Sequence, residues 1–450
     1  MLRPYQIEDI QFFAQRKRSA CFNEQRTGKT PIALNTTKEQ GLRKILIICP
    51  ASAILPWREE FEFWLERPCI ALIGNRKQKQ QLLNDWTDGL IVSFDTFKST
   101  QNYNGFADAI LNAKPEAVIL DEAHRIKGRT TQAAKAAYKC RNIPYRMALT
   151  ATPSHNKPQE IFPILKWLYP KTFSSYWNFV EYFFFIQERY GLNGNTFKDI
   201  GRFKPSKEQE LINILKEFST QRKRVDVMPW LPEEEEPIQI KLDATKEQQR
   251  YLKELQNFFE TEDIITQGIL DRLIRERQIC LDPKLLELKS KSPKTDWIKQ
   301  YLKDYPKVPT IIFSKFTSYL RLLDQELKNT PKGVIIGDTS LPLRSKFIKD
   351  FQNGHINLLL INIDCGKESL TLDTAENIIF TDLYPPVGDI EQAKARFIST
   401  TENKAHKVHR IYQLMLKDTY DEQIYEHIHK LKTQSDILND YHNYLKTKGE

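Results

Sequence analysis

Two short strings carry the side chains that could do chemistry. Gly28-Lys29-Thr30 offers a turn-forming glycine, a cation and a hydroxyl, and Asp121-Glu122-Ala123-His124 follows with two adjacent carboxylates. In that order they form the minimum kit for splitting ATP around Mg²⁺. Arg26, Thr27, Gly28, Lys29 and Thr30 would make a phosphate loop where a strand turns into a helix, a place whose N–H groups attract anions. Lys29 would reach the β and γ oxygens and Thr30 would hold Mg²⁺. Asp121 would hold the same ion through water, while Glu122 orients and deprotonates the attacking water. Asn23 stands where such a loop usually has its first glycine.

That chemistry needs both strings at one edge of a parallel sheet. Ala117-Val118-Ile119-Leu120 precedes the acidic pair, and Ala20-Cys21-Phe22 precedes the loop. Further apolar runs at 45–48, 70–73, 90–92 and 147–149 alternate with amphipathic stretches, which predicts parallel strands covered by helices. A second series follows at 311–313, 334–336, 358–361, 378–380 and 411–414. The expected class is therefore α/β, with parallel-sheet lobes in tandem over 1–238 and 239–450. Helical insertions are expected at about 156–222 and 243–290, and terminal helices at about 420–448. The stretch 177–203 is rich in aromatic residues and broken by Gly191, Gly194 and Gly201 into a turn or hairpin. It reads as a small accessory core on the first lobe; the competing reading is a wedge that stacks on bases at a branch point. Glu233-Glu234-Glu235-Glu236, between Pro232 and Pro237, reads as a solvated connector.

A net charge of +9 suits a polyanionic partner. Phe183-Phe184-Phe185-Ile186, the most apolar cluster, is too short to span a bilayer, and the first residues lack the apolar core of a secretion signal. Six cysteines without a C-x-x-C pair read as reduced and packed, so a cytoplasmic protein is expected.

More motifs surround the two strings. Leu2-Arg3-Pro4-Tyr5-Gln6 opens the chain, and Ile48-Cys49-Pro50-Ala51-Ser52 comes with Trp57 and Phe61. Val92-Ser93-Phe94-Asp95-Thr96 and Leu149-Thr150-Ala151-Thr152-Pro153 follow, then Arg222-Lys223-Arg224 with Leu231-Pro232 and Gln248. Residues 275–283, Ile311-Ile312-Phe313-Ser314-Lys315-Phe316, Ile336-Gly337-Asp338-Thr339 and Gln392-Ala393 with Arg396 complete the series. In content and order these resemble superfamily-two helicases, specifically the Swi/Snf-type branch of double-stranded DNA translocases. The resemblance covers nearly the whole chain and implies two RecA-like lobes.

It also implies roles. Arg3, Tyr5 and Gln6 would contact the nucleotide, the glutamine reading the adenine edge. Ser52, Ser93, Thr96, Arg222, Arg224, Ser314 and Lys315 would contact DNA. Thr150, Thr152 and Gly366 would couple hydrolysis to movement. Gln392 and Arg396 would serve the γ-phosphate from the second lobe. Two departures stand out: Cys365-Gly366-Lys367-Glu368-Ser369-Leu370-Thr371-Leu372 keeps one glycine of a glycine-rich motif, and Ser399 replaces a second arginine.

The expected protein is a monomeric DNA-dependent ATPase, using ATP and Mg²⁺, that remodels branched DNA by fork regression, branch migration or limited unwinding. The resemblance and compact size point to a phage or bacterial member. An RNA helicase shares Asp-Glu-Ala-His, and an ATP-gated DNA clamp or loader with little turnover would fit Ser399.

Overall fold

The computed structural model describes the chain except residues 100–103, 154–157, 191–195, 229, 231–235, 258–268, 367–371, 373, 384–409 and 430–450. The chain divides into two compact units, Met1–Pro229 and Trp230–Glu450, ahead of the expected 238/239 boundary.

The first unit is built on the expected runs. Strands β1 (Arg18–Cys21), β2 (Ile45–Cys49), β3 (Cys69–Ala71), β4 (Gly89–Ser93), β5 (Ala117–Leu120) and β6 (Tyr145–Leu149) lie in one parallel sheet. Strands β7 (Phe184–Tyr190) and β8 (Thr196–Phe203) form a separate antiparallel hairpin. A two-residue strand, β9 (Ser219–Thr220), joins the large sheet, whose order is β3-β4-β2-β5-β6-β1-β9. Both faces are covered, so the central strands β2 and β5 are apolar throughout instead of alternating. On one face Ile45, Ile47 and Cys49 pack with helices α1 (Pro4–Ala14), α2 (Lys29–Glu39) and α3 (Ile54–Leu65). On the other, Leu46 and Ile48 join Phe162, Trp167, Phe179, Phe183 and Phe184. Part of the aromatic stretch thus joins the first unit's core, in line with the accessory-core reading, while Trp177, Tyr182 and Phe185 are exposed. The glycine-rich turn at 191–195 lies outside the described residues.

The second unit repeats the plan. Strands β10 (Ile238–Leu242), β11 (Thr310–Ser314), β12 (Gly333–Ile335), β13 (Leu358–Asn362), β14 (Asn377–Phe380) and β15 (Arg410–Leu416) pair in parallel in the order β10-β15-β14-β11-β13-β12. The expected insertion contains helices Lys246–Asn257 and Ile269–Leu281, which share a small core with Leu288 and Leu416. Of the expected terminal helices the described part is Tyr420–His429. No described helix is long and apolar enough to cross a membrane.

Candidate active site

Every first-unit motif sits at the carboxyl edge of its sheet, where parallel α/β sheets hold ligands. The loop after β1 leads into α2 with Gly28 at the helix N-cap and φ +81°. A side chain there would collide with Gln6, whose Nε2 would lie 2.1 Å from an added Cβ. The approach is used: Gln6 Nε2 donates to the Thr27 carbonyl at 3.0 Å, and the Tyr5 hydroxyl donates to the same oxygen at 2.7 Å. The other end of the Gln6 amide accepts the Arg3 N–H at 2.8 Å. The opening motif is therefore fastened to the loop that precedes α2. Lys29 folds back over that loop, its Nζ donating to the carbonyls of Asn23 at 3.0 Å and Glu24 at 3.1 Å.

The acidic pair ends β5. The Trp57 indole on α3 donates to Asp121 Oδ2 at 2.8 Å, and the Glu122 N–H donates to Oδ1 at 3.0 Å. Burial and the neighbouring Glu122 carboxylate push the Asp121 carboxyl up to about 6, offset by the Trp57 N–H and by Lys29. Lys29 thus shares the electrostatic environment of the acidic pair. Glu122 has left-handed backbone, φ +47°. Its Oε2 lies 3.2 Å from His124 Nδ1, and the same nitrogen lies 3.1 Å from Thr150 Oγ1 at the end of β6. The Thr152 N–H donates to that hydroxyl at 3.2 Å. Glu122 and Thr150 therefore meet at His124 Nδ1, and the Thr152 N–H joins this cluster through the Thr150 hydroxyl.

A magnesium ion fits the donors present. Mg²⁺ favours one or two carboxylates with phosphate and water oxygens, and Asp121 offers a half-buried carboxylate beside a second acid. Thr30, on the first turn of α2, adds a hydroxyl. Among the described residues no cluster of three metal-binding side chains exists.

The expected DNA contacts divide. Ser52 and Thr96 lie partly exposed at the carboxyl ends of β2 and β4. Thr96 accepts from the Lys79 ammonium at 3.2 Å, which burial pulls below its ordinary pKa. Ser93 is buried and caps the turn of helix Phe94–Phe97 with its hydroxyl. In the second unit Lys315 is paired with Asp364, while Ser314 is buried with its hydroxyl donating to Asp382. Asp382 also takes the Lys315 N–H, the Thr381 hydroxyl and Arg277. The Ser93 and Ser314 hydroxyls are therefore both engaged within the chain. Arg222 likewise pairs with the buried Asp9 and with Glu8, while Arg224 pairs with Glu24. Sequence reasoning missed Asp9; the signal within reach was Asn23, a polar residue at a glycine position. Gly366 ends a short helical turn, Ile363–Gly366. Gln392, Arg396, Ser399 and residues 367–371 lie outside the described residues.

Two family models match, the SNF2-related domain over residues 6–285 and the helicase conserved C-terminal domain over residues 293–400. The chain belongs to the SNF2-related family. As a member it is a superfamily-two, Swi/Snf-type chain. It is 24% identical over 426 residues to the human (Homo sapiens) DNA annealing helicase and endonuclease ZRANB3, covering 90% of this chain and 37% of that one. It is also 24% identical over 476 residues to the chromodomain-helicase-DNA-binding protein 1-like of Danio rerio, covering 97% and 44%. The SNF2-related chain thus spans less than half the length of these curated relatives. The helicase domain of Hef from Pyrococcus furiosus shares the fold, with a TM-score of 0.54 at 15% identity over 94% of this chain and 97% of that one.

Proposed function

We propose that this SNF2-related chain is an ATP-driven motor on duplex DNA that remodels branched structures by fork regression, branch migration or limited unwinding. The observation that carries the reading is the cluster in which Glu122 and Thr150 meet at His124 Nδ1 and Thr152 bonds to the Thr150 hydroxyl. It links the proposed base to the end of the neighbouring strand, where a change at the phosphates can be passed on. Lys29 binds the β and γ oxygens once it leaves the loop carbonyls. Glu122 takes the proton of the attacking water at its carboxylate. Thr30 and Asp121 would hold Mg²⁺, which neutralises phosphate charge when bound. Gln6, with Arg3 and Tyr5, is proposed to seat the base. Gln392 and Arg396 are proposed to serve the γ-phosphate, with Arg396 supplying a cation.

DNA is supported as the partner by the names of the two relatives and by the net charge of +9. Ser52, Thr96, Arg224 and Lys315 are the proposed backbone contacts. The test measures ATPase and strand displacement on single strand, duplex, fork and four-way junction, with RNA as the control. Duplex should stimulate turnover most, and junctions should be processed. Stimulation by RNA alone would make the chain an RNA helicase. ATP-dependent retention on DNA without turnover would make it a clamp.

A further inference from the structure

The carboxylate of Asp9, on α1, is completely buried and has no part in the chemistry above. Asn23 Nδ2 donates to its Oδ2 at 2.7 Å. Arg222 donates to its Oδ1 from Nε at 3.1 Å and from Nη2 at 2.9 Å. The Thr220 hydroxyl lies 3.4 Å from Asp9 Oδ2 and 3.1 Å from Asn23 Oδ1. Three segments therefore meet on one charge: α1, the phosphate loop, and β9 with its continuation.

The backbone repeats this link. Phe22 N–H donates to the Thr220 carbonyl at 2.8 Å, and Glu24 N–H donates to the Arg222 carbonyl at 2.9 Å. Pairing between β1 and β9 thus runs past both strands into the loop. On the far side Glu24 Oε2 accepts the Arg224 N–H at 2.8 Å. A few residues later the chain crosses into the second unit, which begins at Trp230.

A buried carboxylate is costly without its cation, so Asp9 and Arg222 hold each other in place. The residues they fix, Asn23 and Glu24, own the two carbonyls on which Lys29 Nζ rests. When Lys29 transfers to a phosphate it must leave both oxygens. The loop keeps its shape through that exchange only if residues 23 and 24 are held by something else.

We propose that Asp9 is a positioning residue for the nucleotide's phosphates: with Arg222 it holds residues 23 and 24 while Lys29 changes partner, and it ties the chain's exit from the first unit to that loop. The proposal rests on the ATP reading of the site. It makes Arg222 a brace of the phosphate loop where the resemblance implied a DNA contact.

Asp9→Asn is nearly isosteric and removes the charge that Arg222 answers. The dissociation constant of a fluorescent Mg·ATP analogue should rise at least tenfold, while kcat at saturating ATP falls less than threefold. Trypsin should cut after Lys223 and Arg224 at least tenfold faster without nucleotide. Arg222→Gln, changed on the partly exposed side of the pair, should show the same affinity-against-kcat split and stands in if Asp9→Asn does not fold. The double exchange Asp9→Asn with Asn23→Asp returns a carboxylate to the network and should recover most of the affinity. Faster cleavage with unchanged affinity would reduce the network to packing and overturn the proposal, as would a parallel fall of kcat, affinity and melting temperature. Failure of the wild-type chain to bind the analogue would sink the ATP reading itself, and the role of Asp9 with it.

Discussion

Trp57 holds Asp121 by one hydrogen bond, indole Nε1 to Oδ2 at 2.8 Å, and so joins the core of α3 to the end of β5. Groups that orient a ligating carboxylate typically matter 10- to 100-fold to metal affinity. Trp57→Phe keeps an aromatic ring in the core but removes the donor. The Mg²⁺ concentration giving half-maximal ATPase should rise about tenfold, read from a Mg²⁺ titration at fixed ATP. An unchanged titration would mean that Asp121 does not meet the ion.

Lys29 and Glu122 should fail differently. Lys29→Ala removes the cation from the phosphates, so nucleotide affinity and turnover should fall together. Glu122→Gln removes only the proton acceptor, so binding should persist while turnover is lost. Equilibrium binding and DNA-stimulated ATPase measured on both variants separate the roles. Near-normal turnover in Glu122→Gln would show that another group is the base.

Arg396 is the single arginine kept in its motif, with Ser399 in the second position. Arginines aimed at a transferring phosphoryl group are worth roughly 10³–10⁵ in rate. Arg396→Ala should cost at least about a hundredfold in kcat while DNA binding is retained in a mobility-shift assay. A mild effect would move the proposed cation elsewhere and dissolve the alignment of that motif.

Acid should weaken the second unit at one identifiable place. Glu326 bonds to Lys284 and Lys299, and the two ammonium groups hold its carboxyl down to about 2 against an ordinary 4.5. Its folded pKa is below its unfolded one, so its contribution is full above about 4.5 and fades as pH falls towards 2. Both lysines are partly exposed and water screens the pair, which limits the effect to about 1 kcal/mol. Chemical denaturation of Glu326→Gln should show that loss at pH 7 and little difference from wild type near pH 2. An equal deficit at both pH values would assign the loss to packing instead.

The sheets were legible because parallel strands buried on both faces must be apolar along their length, and 45–48 and 358–361 are. The strands that escaped notice are those where this logic lapses. Ser219–Thr220 is two polar residues long, and Ile238–Leu242 is a mostly exposed edge strand. The placement of Gly28–Thr30 and of Asp121-Glu122 at strand ends was legible because each string follows its own apolar run. Hydroxyl roles were not. Ser314 turns inward because its hydroxyl donates a hydrogen bond to Asp382, far along the chain, and nothing near Ser314 announces that partner. The partner of Arg222 was hidden for the same reason, since its answering charge is Asp9 at the other end of the unit.

Glu122 keeps a backbone conformation that a side chain with a Cβ adopts at a cost of roughly 1–2 kcal/mol. Glycine would adopt it freely, so Glu122→Gly should relieve that cost while abolishing the chemistry assigned to this position. A library of this chain selected only for survival of heat would therefore enrich for loss of its proposed base. Any thermostabilised descendant should be sequenced at codon 122 before its melting temperature is admired.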